Sequence, residues 1–322
     1  MRAYLIRRML LVIPTLFIVT ILVFLSVRFI PGNIMDVMAA RMGYEGGGTI
    51  DIDAAKKRLG LDVPVYVQYA RWIGDIVLRG TLGRSLYGGS SGDTVEAMMA
   101  SRIGVTLELG LLAILTGLII AVPVGIYSAI RQYTVADYVG RSVAIIGLAT
   151  PNFWLALLVI IYPAIWWGWT PQIVYVPFGV DPLANLSMFI FPALILGTYL
   201  AASTMRMTRT MMLEVLRQDY VRTAWAKGLK ERRVVLRHAV KNALIPVVTL
   251  IGLQIPIIAG GSVIIETIFN LPGLGRLMLD ALNLRDYPVV SGANLFFASV
   301  IVLINLATDL AYAYLDPRIR YE

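Results

Sequence analysis

The chain has no cysteine and a single histidine, His238. Disulfides and thiolate metal sites are excluded, and a histidine-built metal site has too few ligands. Charge is scarce as well. Only 15% of the 322 residues are Asp, Glu, Lys or Arg, against about 25% in a soluble domain. No Gly-x-x-x-x-Gly-Lys-Ser/Thr phosphate cradle occurs anywhere, so the chain carries no visible means of binding ATP. One histidine in a basic loop makes no nucleophile–base pair. His238 reads as a polar contact, and an intramembrane enzyme lacks its acid/base or metal cluster.

Apolar residues are what the chain has in quantity. They make up 58% of it, and a mean hydropathy of +0.75 calls for lipid rather than one large core. The net charge of +8 would suggest an acidic partner in a soluble protein; here the placement of charges matters more than their sum. No nucleic-acid partner is expected.

A helix crossing about 30 Å of hydrocarbon needs about 20 apolar residues. Such runs cover 9–29, 103–130, 139–167, 188–204, 244–269 and 289–314. The first follows Arg2, Arg7 and Arg8 and is longer than the core of a cleaved signal peptide, so it is expected to be retained as a helix. Pro14, Pro123, Pro151, Pro163, Pro192, Pro246 and Pro256 lie in or at the ends of these spans, where neighbouring helices or a cavity re-satisfy the backbone. Between the fourth and fifth spans lie ten basic residues: Arg206, Arg209, Arg217, Arg222, Lys227, Lys230, Arg232, Arg233, Arg237 and Lys241. Residues 168–187 have none. The asymmetry places both termini in the cytoplasm.

Two segments between spans are informative. Residues 31–102 are far longer than an ordinary connection. They hold a glycine cluster at 46–48, a helical stretch at 52–59, a turn at 61–64, and helical spacing of Val65, Tyr69, Trp72, Ile73 and Ile76. This small external subdomain serves either for packing or as a contact surface for an external partner. In the loop 205–243, Leu213, Leu216, Tyr220, Ala224 and Lys227 fall on one helical face, Gly228 permits φ > 0 and ends the helix, and a second short helix is expected over about 231–242. The two helices make a compact basic knob, unless the loop serves orientation alone.

The knob carries a resemblance. Arg222-Thr223-Ala224-x-x-x-Gly228, then Arg237-His238-Ala239 and Asn242-Ala243-Leu244-Ile245-Pro246, resemble the cytoplasmic loop of binding-protein-dependent ABC permeases. The general signature begins Glu-Ala-Ala; Arg222-Thr223-Ala224 matches the variant usual in the peptide branch. Further stretches are similar to the dipeptide/oligopeptide/nickel permeases in their first-subunit (B-type) form. They include Tyr4-Leu5-Ile6-Arg7-Arg8, Leu59-Gly60-Leu61-Asp62-x-Pro64, Gly80-x-Leu82-Gly83-x-Ser85 and Thr150-Pro151-Asn152-Phe153-Trp154. Glu266-x-x-Phe269-x-x-Pro272-Gly273-x-Gly275 and Leu315-Asp316-Pro317-Arg318 complete the set. The resemblance covers nearly the whole chain.

It implies an all-α integral membrane protein of six transmembrane helices in the type I ABC importer permease fold, with the small external subdomain between helices 1 and 2. Residues 1–30 would be a cytoplasmic tail and the first span, 31–102 the external subdomain and 103–314 the permease core with its coupling loop at 205–243. A cytoplasmic tail would occupy 315–322. The implied partners are a second homologous permease, two cytoplasmic ATPase subunits that bind ATP and Mg, an extracytoplasmic solute-binding protein, and the lipid of a prokaryotic inner membrane. Peptides are the implied cargo, with nickel, glutathione or oligosaccharides as alternatives in the same family. A stand-alone secondary transporter is the alternative of another class, although no clear inverted repeat is visible.

Arg222, Thr223, Ala224, Lys227, Gly228, Arg237, His238 and Asn242 are the coupling-loop candidates, with Ala224 expected on the docking face. Intramembrane ionisable residues are the pathway candidates, because each is costly in lipid. Glu108 is a pathway group, or is held near the interface, or is held by a neighbouring hydroxyl. Asp309 is expected to pair with a basic residue. Glu266 serves either an external gate or a structural hydrogen bond. Gly260 and Gly261 are expected at a close helix contact. Trp166, Trp167, Trp169 and Tyr175 are expected to form an interfacial belt.

Overall fold

In lipid every backbone N–H and C=O must find a partner within the protein, so long apolar runs become helices. The computed structural model describes residues 2–29, 62–87, 93–172 and 174–315. Among them there is no strand, only an isolated bridge between Arg84 and Thr94. The glycine cluster at 46–48, the helix expected over 52–59 and the tail beyond 315 lie outside the described residues.

Helix α1 is Arg2–Arg28, and α2 is Val65–Gly74, prolonged by a π-turn over Asp75–Arg79. Then come α3 (Val95–Ile130), α4 (Val135–Ala149), α5 (Asn152–Trp167), α6 (Pro182–Leu216) and α7 (Asp219–Ala226). Helix α8 is Glu231–Ile268, with a π-turn over Val234–Ala239 inside it. Helices α9 (Leu274–Leu284) and α10 (Tyr287–Leu315) follow. Five of these, α1, α3, α6, α8 and α10, are long and apolar enough to cross a membrane, and α4 with α5 makes a sixth crossing if the pair is one broken span. The chain is a multi-pass membrane protein. Its helices overrun the expected spans: α6 has 35 residues, about 52 Å at 1.5 Å per residue.

The third span expected over 139–167 corresponds to two helices, α4 and α5, and is not one continuous helix. α4 and α5 meet at a bend of 99°. Thr150 is extended, with φ −93° and ψ 121°, as the residue before a proline prefers, and Pro151 opens the next helix.

Two compact units are present. The first comprises Met1–Arg8, Val105–Pro272 and Leu303–Glu322. Its largest buried cluster joins Val105 and Leu109 of α3, Phe189, Leu196 and Leu200 of α6, and Ile258 and Ile265 of α8. Close approach depends on missing side chains. A Cβ at Gly197 of α6 would stand 2.6 Å from the Ala113 carbonyl oxygen of α3, so these backbones meet only because that residue is glycine. Of the two candidate glycines in α8, Gly261 lies against Leu196, whereas Gly260 faces open space.

The second unit comprises Met9–Gly104 and Gly273–Val302. Val27, Val95, Met99, Leu274, Leu277, Val289 and Val290 form its core. The Tyr69–Trp72 face of α2 packs on α1: Phe24 meets Tyr69 at 5.3 Å and Trp72 at 5.6 Å between ring centroids. The Arg28 guanidinium lies 3.6 Å over Phe24 and donates to Gln68 Oε1. The serine of the Gly80–Ser85 motif donates its hydroxyl to Asp286. Burial pushes the Asp286 carboxyl up from the usual carboxylate range, against the opposing pull of its hydrogen bonds from Ser85 and the Leu86 N–H.

Candidate functional site

The coupling candidates come together around α7. This helix ends in a Schellman arrangement. The Gly228 N–H donates to the Trp225 carbonyl at 2.9 Å and the Leu229 N–H to the Ala224 carbonyl at 3.4 Å, with Gly228 left-handed at φ +75°. That conformation is what a glycine at C′ supplies. A Cβ added at Gly228 would meet nothing within 4 Å, so the requirement for glycine is conformational.

The knob has its own small core. Val221, Ala224 and Val234 are buried, with Val215, Leu216 and Leu229 packed around them. Ala224 is 6% exposed, so it faces inward and not onto the docking face, contrary to the expectation. The outward side of α7 carries Arg222, Thr223, Trp225 and Lys227, all exposed. Arg222 lies 3.7 Å from Asp219, both side chains exposed, and the Thr223 hydroxyl donates to the Asp219 carbonyl. Trp225 sits within the unspecified part of the loop motif, and its exposed indole is the residue that motif reading passes over.

Two further expectations about this region are corrected. The face drawn from Leu213 to Lys227 as one helix is interrupted, because α6 stops at Leu216 and α7 starts at Asp219. The separate helix expected over 231–242 is instead the start of α8, continuous through the π-turn. Arg237 is exposed and His238 half-buried on that turn. Asn242 Nδ2 donates to the Tyr220 hydroxyl at 2.8 Å and so ties α8 to α7.

A buried ion pair near the knob escapes sequence reading. Asp137, on the first turn of α4, is fully buried. Arg209 of α6 grips it with both arms, Nε to Oδ1 at 2.9 Å and Nη2 to Oδ2 at 2.9 Å. The Ser128 hydroxyl of α3 donates to the same carboxylate, and the Tyr133 N–H does so at 3.1 Å. One carboxylate thus joins three helices and the turn between α3 and α4. The pair is 72 residues apart in sequence, and nothing in the local pattern signals it.

The three candidate carboxylates have different surroundings. Glu108 lies beside Asn185 and is an electrostatic neighbour of Tyr175; burial, and then that carboxylate, pushes the Tyr175 phenol up. Tyr175 turns inward onto Phe189, so it leaves the expected belt, while Trp166 and Trp167 remain exposed. Glu266 is fully buried and accepts from the Thr106 hydroxyl at 2.7 Å. Asp309 has the basic partner expected of it, Arg8 Nη1 at 2.8 Å.

Helices α3 to α6 also enclose an open groove of about 880 Å³. Small residues line it, among them Gly117, Ala121, Gly140, Ala144 and Ala201. Thr116 and Thr198 in its wall donate their hydroxyls to carbonyls of their own helices. A polar solute finds little to bond there, whereas small residues of this kind allow an apolar helix to approach closely.

Among the described residues no group of three or more His, Cys, Asp or Glu could hold a metal ion. The model of the family described as "Binding-protein-dependent transport system inner membrane component" matches residues 121–321, and its N-terminal companion matches residues 1–91. The chain is 40% identical over 328 residues to the oligopeptide transport system permease protein AppB of Bacillus subtilis, covering all of both chains. It is 38% identical over 346 residues to the dipeptide transport system permease protein DppB of Escherichia coli K12, again over the full length of each. A solved structure titled as an amino acid ABC transporter with histidines superposes with a TM-score of 0.50 at 15% identity, over 69% of this chain and 94% of that one. That likeness bears on the fold alone. With two family models and full-length relatives in agreement, this chain belongs to the inner membrane components of binding-protein-dependent transport systems.

Proposed function

We propose that the chain is the first-type permease subunit of an ATP-driven importer of peptides. The observation that carries the reading is the α7 knob, an exposed helix with a glycine-capped end, held between two long apolar helices in a chain that has no phosphate cradle of its own. Such a permease borrows its energy from a separate ATPase, and the knob is the surface offered to it, through Arg222, Thr223, Trp225, Lys227 and Gly228. Full-length similarity to oligopeptide and dipeptide permeases supports peptides as cargo. The groove lined by small residues supports a second permease packed alongside, one of its helices seated there. An extracytoplasmic binding protein would deliver the peptide, and nucleotide in two ATPase partners would shift a two-state equilibrium of the spans.

Orientation is open to a direct test, since the chain has no cysteine to remove. Lys230→Cys lies beside the knob and Arg79→Cys follows α2; both side chains are exposed. In intact cells an impermeant thiol reagent should label the Arg79 position and spare the Lys230 position. Labelling of both from outside overturns the topology. Energy dependence is the second test. The purified chain alone in liposomes should neither hydrolyse ATP nor concentrate peptide, and should do so only with its ATPases and binding protein. Concentrative uptake by the lone chain on an ion gradient would favour a secondary carrier.

A further inference from the structure

Helix α6 changes character along one face. Tyr199, Ser203, Arg206 and Thr210 follow at steps of four, three and four, which places them on one stripe. All four are partly or fully exposed. Continued toward Pro182, the same stripe carries Leu196, Pro192 and Phe189, each buried, the first and last within the α3–α6–α8 core. Midway along an apolar helix, one face passes from buried and apolar to open and polar.

The polar half is braced from α8. Gln254 is 4% exposed, and its Oε1 accepts from the Ser203 hydroxyl at 2.7 Å. The same hydroxyl also lies 2.8 Å from the Tyr199 carbonyl and 3.1 Å from the Leu200 carbonyl, and the Gln254 Nε2 has no hydrogen-bond partner among the described residues. A buried donor without an acceptor is unfavourable, most of all between membrane helices; Nε2 is closed off here, so an acceptor reaches it only as α6 and α8 part. Arg206 lies one turn beyond Ser203 and makes no ion pair among the described residues. The nearest carboxylate further along α6 is Glu214, eight residues or about 12 Å along the axis. The stripe therefore offers donors and one positive charge: the Arg206 fork, Gln254 Nε2 and the Tyr199 hydroxyl.

A free peptide is the complementary object, with carbonyl acceptors ending in a carboxylate. We propose that this half-stripe is a subsite of the transport pathway, in which Arg206 takes the peptide's terminal carboxylate while Gln254 Nε2 and Tyr199 take its main-chain carbonyls. Ser203 orients the Gln254 amide. The inference rests on the peptide-importer reading and gives it a chemical cause: Arg206 pairs with the carboxylate that every free peptide carries.

The test uses the assembled complex, both permeases with ATPases and binding protein, in liposomes supplied with labelled di- to pentaalanine. A charge-assisted hydrogen bond is worth about tenfold to a hundredfold in affinity and a neutral one about twofold to tenfold. Arg206→Gln should therefore lower uptake about tenfold or more, while the loaded binding protein still stimulates ATP hydrolysis. Arg206→Lys should restore most of the uptake, and Gln254→Leu should lose less than Arg206→Gln. Wild-type uptake by Arg206→Gln overturns the subsite. So does a parallel fall of uptake and stimulated hydrolysis that Lys does not rescue, because Arg206 then serves assembly or lipid anchoring. If Arg206→Gln does not assemble, Tyr199→Cys decides: peptide present during turnover should slow its maleimide labelling several-fold, and unchanged labelling overturns the proposal. A wild-type complex that imports none of these peptides overturns the peptide reading itself, whereas wild-type import untouched by Arg206→Gln overturns the subsite alone.

Discussion

Gly228→Val should abolish peptide uptake by the assembled transporter while leaving the chain in the membrane at normal abundance. Gly228 holds φ +75° at the end of α7, a region closed to β-branched residues and open to glycine. Forcing valine there costs about 1–3 kcal/mol, a large strain for a knob whose core is three buried side chains. The chain escapes the strain by abandoning the Schellman turn, and Leu229 then no longer enters the knob core. Because a Cβ at 228 meets nothing within 4 Å, the effect separates strain from clash. Gly228→Asn, whose side chain tolerates the left-handed region, should keep uptake within about threefold of wild type, with alanine between the two. Ala224→Asp should match valine by another route, since it drives a carboxylate among Val221, Val234 and Leu216. Substrate-stimulated ATP hydrolysis and uptake, measured together, decide the matter. If valine and asparagine behave alike, the left-handed turn is not what the coupling loop needs.

The second large effect is on stability. Asp137→Ala should lower the unfolding midpoint and the membrane abundance of the chain, by the equivalent of about 3–5 kcal/mol. The loss leaves the Arg209 guanidinium, 17% exposed, with the Ser128 hydroxyl at 3.1 Å as its remaining partner in the cluster. Removing both charges is a different experiment. Asp137→Leu with Arg209→Met replaces a buried pair by apolar bulk, a change that is often neutral or stabilising, so the double variant should recover most of the loss. Equal stability of Asp137→Ala and wild type would mean that water already compensates the pair.

Much of this could be read from residue order. The apolar runs appeared as helices because lipid leaves the backbone no alternative, and Gly228 followed from its place after a periodic stretch. Direction was harder to read. Ala224 does pack with Leu216 across the break at Arg217 and Gln218, but the face they share closes the knob core and is not offered outward. The bend at Thr150 and Pro151 was marked by its proline, but a proline fixes where a helix can break and not the angle that packing then selects. Asp137 and Arg209 look like ordinary members of a polar turn and a basic loop. Their pairing depends on the crossing of α4 and α6, which no local pattern encodes. Glu266 was visible as a charge in an apolar run, while its burial beneath Thr106 depends on the packing of α3 against α8.

The two sides of the knob are attached differently, and this has a mechanical consequence. Toward α6 the chain is jointed: two residues separate the helices, and the joint can flex. Toward α8 the chain turns through residues 227–230, and Val234 on the opening turns of α8 is itself part of the knob core. From Glu231 the backbone runs on as one helix of 38 residues, about 57 Å long, its ladder loosened at the π-turn and at Pro246 and Pro256. A sideways push on the knob therefore swings the α6 side like a door and turns the α8 side like a crank. The continuous arm carries the stroke toward Ile268, beside the buried Glu266, and the arm broken at Arg217 and Gln218 absorbs the mismatch in angle.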